Sequence, residues 1–165
     1  EDTEWSRANM VCFYARLKDA AKAEESLNIL LTDFARENLL TISPEGIAGA
    51  PFDVFIFDGN AAGAAGLAEM LVQAHEGYVE ILPCLPTEWK DGSFSGLCVK
   101  GGAEVSAEWK DSRVVKATAD NLFRLQVPEG KDYAIRLNGK KWVSNLDGDR
   151  CVVAYLKKGD VIELK

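Results

Sequence analysis

The 165-residue chain is 47% hydrophobic and 27% charged, with a formal net charge of −7, a composition that supports a buried core in one domain or two small ones. Its Lys and Arg are scattered rather than gathered on a stripe, so neither nucleic acid nor an anionic membrane is an expected partner. No apolar run reaches the length of about 20 residues that crosses a bilayer. The first residues lack the charged, apolar and small-residue regions of a signal peptide, and the start on Glu1 rather than Met reads as a processed chain or a piece of a longer one.

Between Glu4 and Asn38 the apolar residues Met10, Phe13, Tyr14 and Leu17, then Leu27, Leu30, Leu31 and Phe34, recur at helical spacing around a polar break at Lys18-Asp19. The pattern predicts a helical hairpin with Asp19 as N-cap of the second helix, and apolar faces that need a further partner. From Thr41 to Phe57 two prolines and two glycines predict a long loop without regular structure, of the kind that lines a site or ties domains together. A helix is predicted from about Gly59 to Ala74, with Ala61, Ala62, Ala65 and Gly66 as small contacts that admit a close neighbour. Gly77 reads as its stop and His75 as a residue capping its C-terminal end.

Beyond Tyr78 the period becomes alternating. Strands are predicted at 78–82, 94–100, 103–110, 113–119, 123–127, 133–137, 141–144, 151–156 and 161–164. Turns are predicted at Lys90-Asp91-Gly92, Lys110-Asp111-Ser112, Glu129-Gly130-Lys131, Asn138-Gly139, Asp147-Gly148-Asp149 and Lys158-Gly159-Asp160. Many short strands at this spacing predict an antiparallel sandwich. The expected organisation is therefore α+β, a helical segment over 1–77 followed by a β-sandwich domain over 78–165.

Cys12, Cys84, Cys98 and Cys151 are widely spaced, form no CxxC pair and have one histidine beside them, so neither a metal site nor a cofactor is expected. Their apolar neighbours, as in Leu97-Cys98-Val99 and Cys151-Val152-Val153, predict small buried hydrophobes rather than disulfides, and the compartment stays open. Trp5, Trp89, Trp109 and Trp142 have the rings to stack on a sugar, although tryptophans in sandwich strands are commonly core.

The chemistry concentrates at Asp58, which follows an apolar run and opens a helix, where unpaired N–H groups of the first turn favour an ionised carboxylate. Asp58 or Asn60 fits an N-cap, and Asp58 fits a fixed base equally. Glycoside hydrolysis with inversion takes an acid and a base about 6.5–9.5 Å apart. Glu69 lies eleven residues further along a helix, too far to share a site with Asp58, whereas Glu45 and Asp53 lie on the preceding loop within reach of a substrate.

Two blocks carry a family resemblance. The first is Asp58-Gly59-Asn60, Ala65-Gly66-Leu67-Ala68-Glu69-Met70-Leu71 and Gln73-Ala74-His75-Glu76-Gly77. The second is Leu82-Pro83-Cys84-Leu85-Pro86, Trp89, Gly92, Gly96-Leu97, Gly101-Gly102, Val105 and Trp109. With Trp5-Ser6-Arg7-Ala8 and Ala15-Arg16-Leu17, these residues resemble the C-terminal part of glycoside hydrolase family 95, the α-L-fucosidase family, over about the first 120 positions. The resemblance implies the last helices of an (α/α)6 toroid followed by a β-sandwich, and inverting hydrolysis of terminal α-linked fucose, or galactose, on a glycan. It places Asp58 as the catalytic aspartate; Asn60, two residues on in the motif, and Asp53, on the preceding loop, are expected to bind substrate beside it.

The family commonly has His-Pro-Pro-Phe-Gln-Ile before the aspartate and Phe after the asparagine. This chain has Ala50-Pro51-Phe52-Asp53-Val54-Phe55-Ile56-Phe57 and Ala61 there. The resemblance also assigns the acid glutamate to a segment preceding Glu1, which predicts an inactive chain in isolation, able to self-associate through apolar helix faces. The alternative is a non-catalytic carbohydrate-binding or interaction module.

Overall fold

The structure, a computed structural model, describes residues 2–120, 122–126, 134–142 and 151–164. The turns predicted at Glu129-Gly130-Lys131 and Asp147-Gly148-Asp149, and the strand ends predicted at Val127, Tyr133 and Ser144, lie outside the described residues. Two compact units emerge, Glu1–Leu71 with Pro83–Pro86, and Val72–Leu82 with Thr87–Lys165.

The first unit is helical. Helix α1 (Glu4–Leu17) starts on Thr3, whose hydroxyl accepts from the Ser6 N–H, and stops at Lys18 in the left-handed region. Helix α2 (Ala20–Asp33) starts on Asp19, which accepts from the Lys22 N–H as its spacing predicts. Helix α3 (Phe57–Leu71) packs on both. The contact is made by small residues: a Cβ at Gly66 would sit 2.7 Å from Val11 Cγ1, and one at Gly63 would sit 2.7 Å from Leu30 Cδ2. Backbones this close leave the inward stripe of α1 to Ala8, Val11 and Ala15. Met10, Phe13 and Leu17 of the apolar pattern predicted in the first helix stand exposed, whereas Leu27, Leu30 and Phe34 of the second run are buried.

Three sequence expectations are corrected here. The segment between α2 and α3 is not structureless: β1 (Ile42–Ser43) pairs antiparallel with β2 (Val54–Phe55), and a 3-10 turn covers Ile47–Gly49. Helix α3 ends at Leu71 rather than near Ala74, because Val72–Gln73 leaves as strand β3 and pairs with β4 (Glu80–Ile81). His75 and Gly77 therefore belong to the β3–β4 turn and cap no helix. The His75 ring lies 3.2 Å from Glu76 Oε1, and Gly77 (φ +81°) supplies the turn.

The second unit is a sheet assembly with one core. Strands β5 (Gly92–Cys98), β6 (Glu104–Lys110), β7 (Arg113–Ala119), β9 (Ile135–Leu137), β10 (Lys140–Lys141) and β12 (Val161–Leu164) form a six-stranded sheet in the order β10-β9-β12-β7-β6-β5. Every recorded pairing in it is antiparallel. Strand β8 (Leu122–Gln126) pairs with β11 (Cys151–Tyr155) in a separate two-stranded sheet.

One cluster of buried side chains draws on both sheets and on β3–β4, among them Val72, Ile81, Val105, Ala117, Leu125 and Ile162. Alternation explains the assignment: along β6, Val105, Ala107 and Trp109 turn inward while Glu104, Glu108 and Lys110 face out. Register aligns Ser93, Glu108, Lys116, Glu163, Arg136 and Lys141 in one row across the outer face, and Lys116 Nζ meets Glu108 Oε1 at 2.9 Å. Cys84 and Cys151 are buried as expected, whereas Cys98 is exposed: it ends the strand beyond the register shift between Phe94 and Leu97.

Candidate active site

Asp58 sits in the first turn of α3, one residue inside the helix start, with an exposed side chain. Its position within the helix corrects the N-cap alternative for Asp58, and among the described residues no hydrogen bond or ion pair occupies its carboxylate. The free N–H groups of that turn and the positive end of the helix dipole surround the anion. Phe57, 67% exposed, stands beside it.

Asn60 fixes this turn to the preceding segment. Its Oδ1 accepts from the Thr41 N–H (2.9 Å) and the Thr41 hydroxyl (3.0 Å), and its Nδ2 donates to the Leu39 carbonyl (2.7 Å). One partner is an obligatory donor and another an obligatory acceptor, so the orientation of the amide is determined. The Thr41 hydroxyl also contacts the Ile56 carbonyl at 2.6 Å, and the Ile56 N–H donates to the Thr41 carbonyl at 3.0 Å. A Cβ on Gly59 would lie 2.6 Å from Thr41 Oγ1, so the glycine of the Asp-Gly-Asn motif is what lets the strand lie against the helix.

Asp53 stands on the loop side of this frame. Its Oδ1 accepts from the Glu45 N–H at 3.1 Å and its carboxylate pairs with Arg36. Glu69 is bound by Arg16 in a two-point ion pair (2.5 and 2.7 Å) that ties α1 to α3. Thr41 and Arg36, which hold Asn60 and Asp53, were not legible as site residues, since neither belongs to a motif and both act across a loop. Of the tryptophans, Trp109 is 7% exposed and donates its indole N–H to the Trp89 carbonyl at 2.8 Å, and Trp142 packs on the sheet core. Trp5, half exposed at the start of α1, is the one with an open ring face in the helical unit.

The thiols take no part in this frame. Burial, with a lesser push from the Asp19 charge, raises the Cys84 thiol to about 11, and burial raises Cys12 as well.

Comparison with known proteins decides the family. The description "Glycosyl hydrolase family 95 catalytic domain" matches residues 1–71, and "Glycoside hydrolase family 95, C-terminal domain" matches residues 73–164. The chain belongs to glycoside hydrolase family 95. It is 30% identical over 128 residues to "Alpha-L-fucosidase 2" of Arabidopsis thaliana, a match covering 70% of this chain and 14% of that protein. It is 28% identical over 131 residues to "Probable alpha-fucosidase A" of Aspergillus niger, covering 73% of this chain and 16% of that protein. The chain thus spans less than a fifth of the length of these curated relatives. Family 95 is a glycoside hydrolase family, and the α+β division follows the two matched regions.

Proposed function

We propose that this chain supplies the Asp58 wall of an exo-glycosidase active site that removes terminal α-linked fucose, or galactose, with inversion. The observation that carries the reading is an exposed, unoccupied carboxylate at the start of α3, on a turn clamped by Asn60 to Thr41. Asp58 is the base: its carboxylate takes a proton from the attacking water as the water bonds to the anomeric carbon, and the helix end holds its orientation. Asn60 retains one amide hydrogen for a sugar hydroxyl, and Asp53 retains lone pairs beside its Arg36 pairing, so both remain able to bind substrate at the edge of the site.

The general acid is a second carboxyl about 6.5–9.5 Å from the base. The family resemblance assigns the acid to a residue outside this chain, and Asp53 and Glu69, committed to arginines, are poor replacements, so the isolated polypeptide is expected to be inactive. The relatives' names, both fucosidases, favour fucose as the sugar. The isolated chain also self-associates through Met10, Phe13 and Leu17, the exposed side of α1. Sedimentation that finds a monomer across a wide concentration range would overturn that part.

The test of the whole reading is Asp58→Asn in the native protein carrying this chain, assayed on an aryl α-L-fucoside with the product anomer followed by NMR. Loss of turnover with sugar binding kept supports it. Undiminished turnover, or a product of retained configuration, would falsify it. Burial of Trp109 removes one of the rings on which a purely sugar-binding module would rely, so no second reading is favoured.

A further inference from the structure

Among the described residues, Glu4 carries a buried acceptor that the proposed function does not use. The residue is 1% exposed, and its Oε2 has no hydrogen-bond partner. Removing a carboxyl oxygen from water without a replacement bond is costly, so such groups are retained where a partner arrives. The arginines near this end are engaged elsewhere: Arg7 Nη2 pairs with Asp2 at 2.6 Å and Arg36 pairs with Asp53.

The helix register places this carboxyl. Cys12 Sγ donates to the Ala62 carbonyl at 3.4 Å and Arg16 grips Glu69 at 2.5 Å, so positions advance together and α1 runs parallel to α3. Glu4 precedes Arg16 by twelve residues and Asp58 precedes Glu69 by eleven. At about 1.5 Å rise per residue, the Arg16–Glu69 pair puts the two carboxyl-bearing residues about 1.5 Å apart in level and the Cys12–Ala62 bond about 6 Å apart, so both leave the same end of the helix pair. Glu4 shares the stripe of Ala8, Val11 and Ala15, and Ala8 packs with Leu30, Phe34 and Ala62, so that stripe is directed at α2 and α3. Each carboxyl also has an exposed aromatic neighbour, Trp5 at 50% and Phe57 at 67%.

We infer that the start of α1 forms a second wall of the Asp58 site, on which the Glu4 carboxylate accepts a hydrogen bond from a ring hydroxyl of the terminal sugar and Trp5 offers its ring face. This rests on the reading of Asp58 as part of a glycosidase site. A bond made there is shielded from water, and a site built to pair with a hydroxyl discriminates strongly against a sugar lacking it.

The experiment compares wild type, Glu4→Met and Glu4→Gln in the native protein, with an aryl α-L-fucoside and its 2-, 3- and 4-deoxy analogues, thermal melts serving as the fold control. Glu4→Met raises KM about tenfold or more with kcat changed less than about threefold, and on one deoxy analogue that loss disappears, because the hydroxyl it served is already gone. Glu4→Gln, which keeps an acceptor but not the charge, falls between. A KM for Glu4→Met within about twofold of wild type, or an equal loss on all three analogues, overturns the inference and marks Glu4 as structural. Should Glu4→Met fail to fold, an unchanged KM and deoxy profile in Glu4→Gln overturns it equally. A wild-type protein silent toward both α-L-fucoside and α-L-galactoside overturns the Asp58 reading and this inference together, whereas an active wild type with indifferent Glu4 variants overturns this inference alone.

Discussion

The helical unit and the sheet unit solve the burial problem in opposite ways. In the sheet unit the large apolar side chains point inward from alternating positions and close on one another, with Val105, Leu125 and Ile162 essentially without solvent contact. In the helical unit the α1–α3 contact is lined by small residues, Ala8, Ala15, Gly63 and Gly66, while Leu27, Leu30, Phe34 and Met70 fill the rest of the interior and Phe13, Leu17 and Phe57 stand outside. A contact built from glycine and alanine brings backbones close and fixes where the helix ends lie, but it buries little area per residue. The α1–α3 seam thus serves to place helix ends, whereas the sheet core serves to bury area.

Four changes break or sharpen that contrast. The largest effect is on chemistry: Asp58→Asn lowers kcat more than about a hundredfold in the native protein, with the melting temperature lowered by at most about 2–4 °C, since among the described residues the side chain makes no ion pair or side-chain hydrogen bond and supports the fold only through the helix end. Next, Ile162→Ala opens a cavity in the sheet core and costs about 2–5 kcal/mol, measured by denaturant unfolding. Gly66→Ala acts in the other unit. The new methyl meets Val11 at 2.7 Å, so the gain of about 1 kcal/mol in helix propensity is reversed to a net loss of about 1–2 kcal/mol. A Gly66→Ala chain more stable than wild type would show that the helix contact gives way and that the contrast is overstated.

The smallest effects are in titration. Alkylation at pH 8 labels exposed Cys98 first and spares Cys84, followed by mass spectrometry. Because the folded Cys84 thiol is raised from 9.0 to about 11, it holds its proton longer than the unfolded chain does. Its contribution to stability is complete below pH 9 and is lost as pH climbs toward 11. Asp19 has the opposite sign. The Lys22 N–H, and then the Lys22 side chain, hold its carboxyl below the ordinary value of 3.8. Its support of α2 is therefore present above that value and is lost as pH falls through the lower folded value, visible as a loss of helix signal that Asp19→Ala abolishes.

Much of the fold was legible because its signals are local. Asp19 announces α2 by its own capping bond, and the alternation in β6 and β7 announces the sheet without reference to anything distant. What the sequence hid depends on pairing across a gap. Residues 72–73 continue a helical pattern yet leave it, because Glu80–Ile81 offers backbone partners that no local propensity records. The loop between α2 and α3 hides β1 and β2 for the same reason, since two residues on each side carry no period. Asp58 was visible as a motif, but the bonds of Thr41 and Arg36 and the unpartnered oxygen of Glu4 needed coordinates, because each depends on what lies across the chain rather than on local sequence.

The margins of the six-stranded sheet carry a consequence for how copies of this chain meet. Among the described residues, one margin is β10, two consecutive lysines, and the other is β5, whose pairing with β6 is broken between Phe94 and Leu97. A charged margin and a kinked one are both poor templates for a strand from another molecule. Fibrillar addition along the sheet is therefore disfavoured, and crowding or heating should drive copies together through α1 before it drives them into extended β-structure.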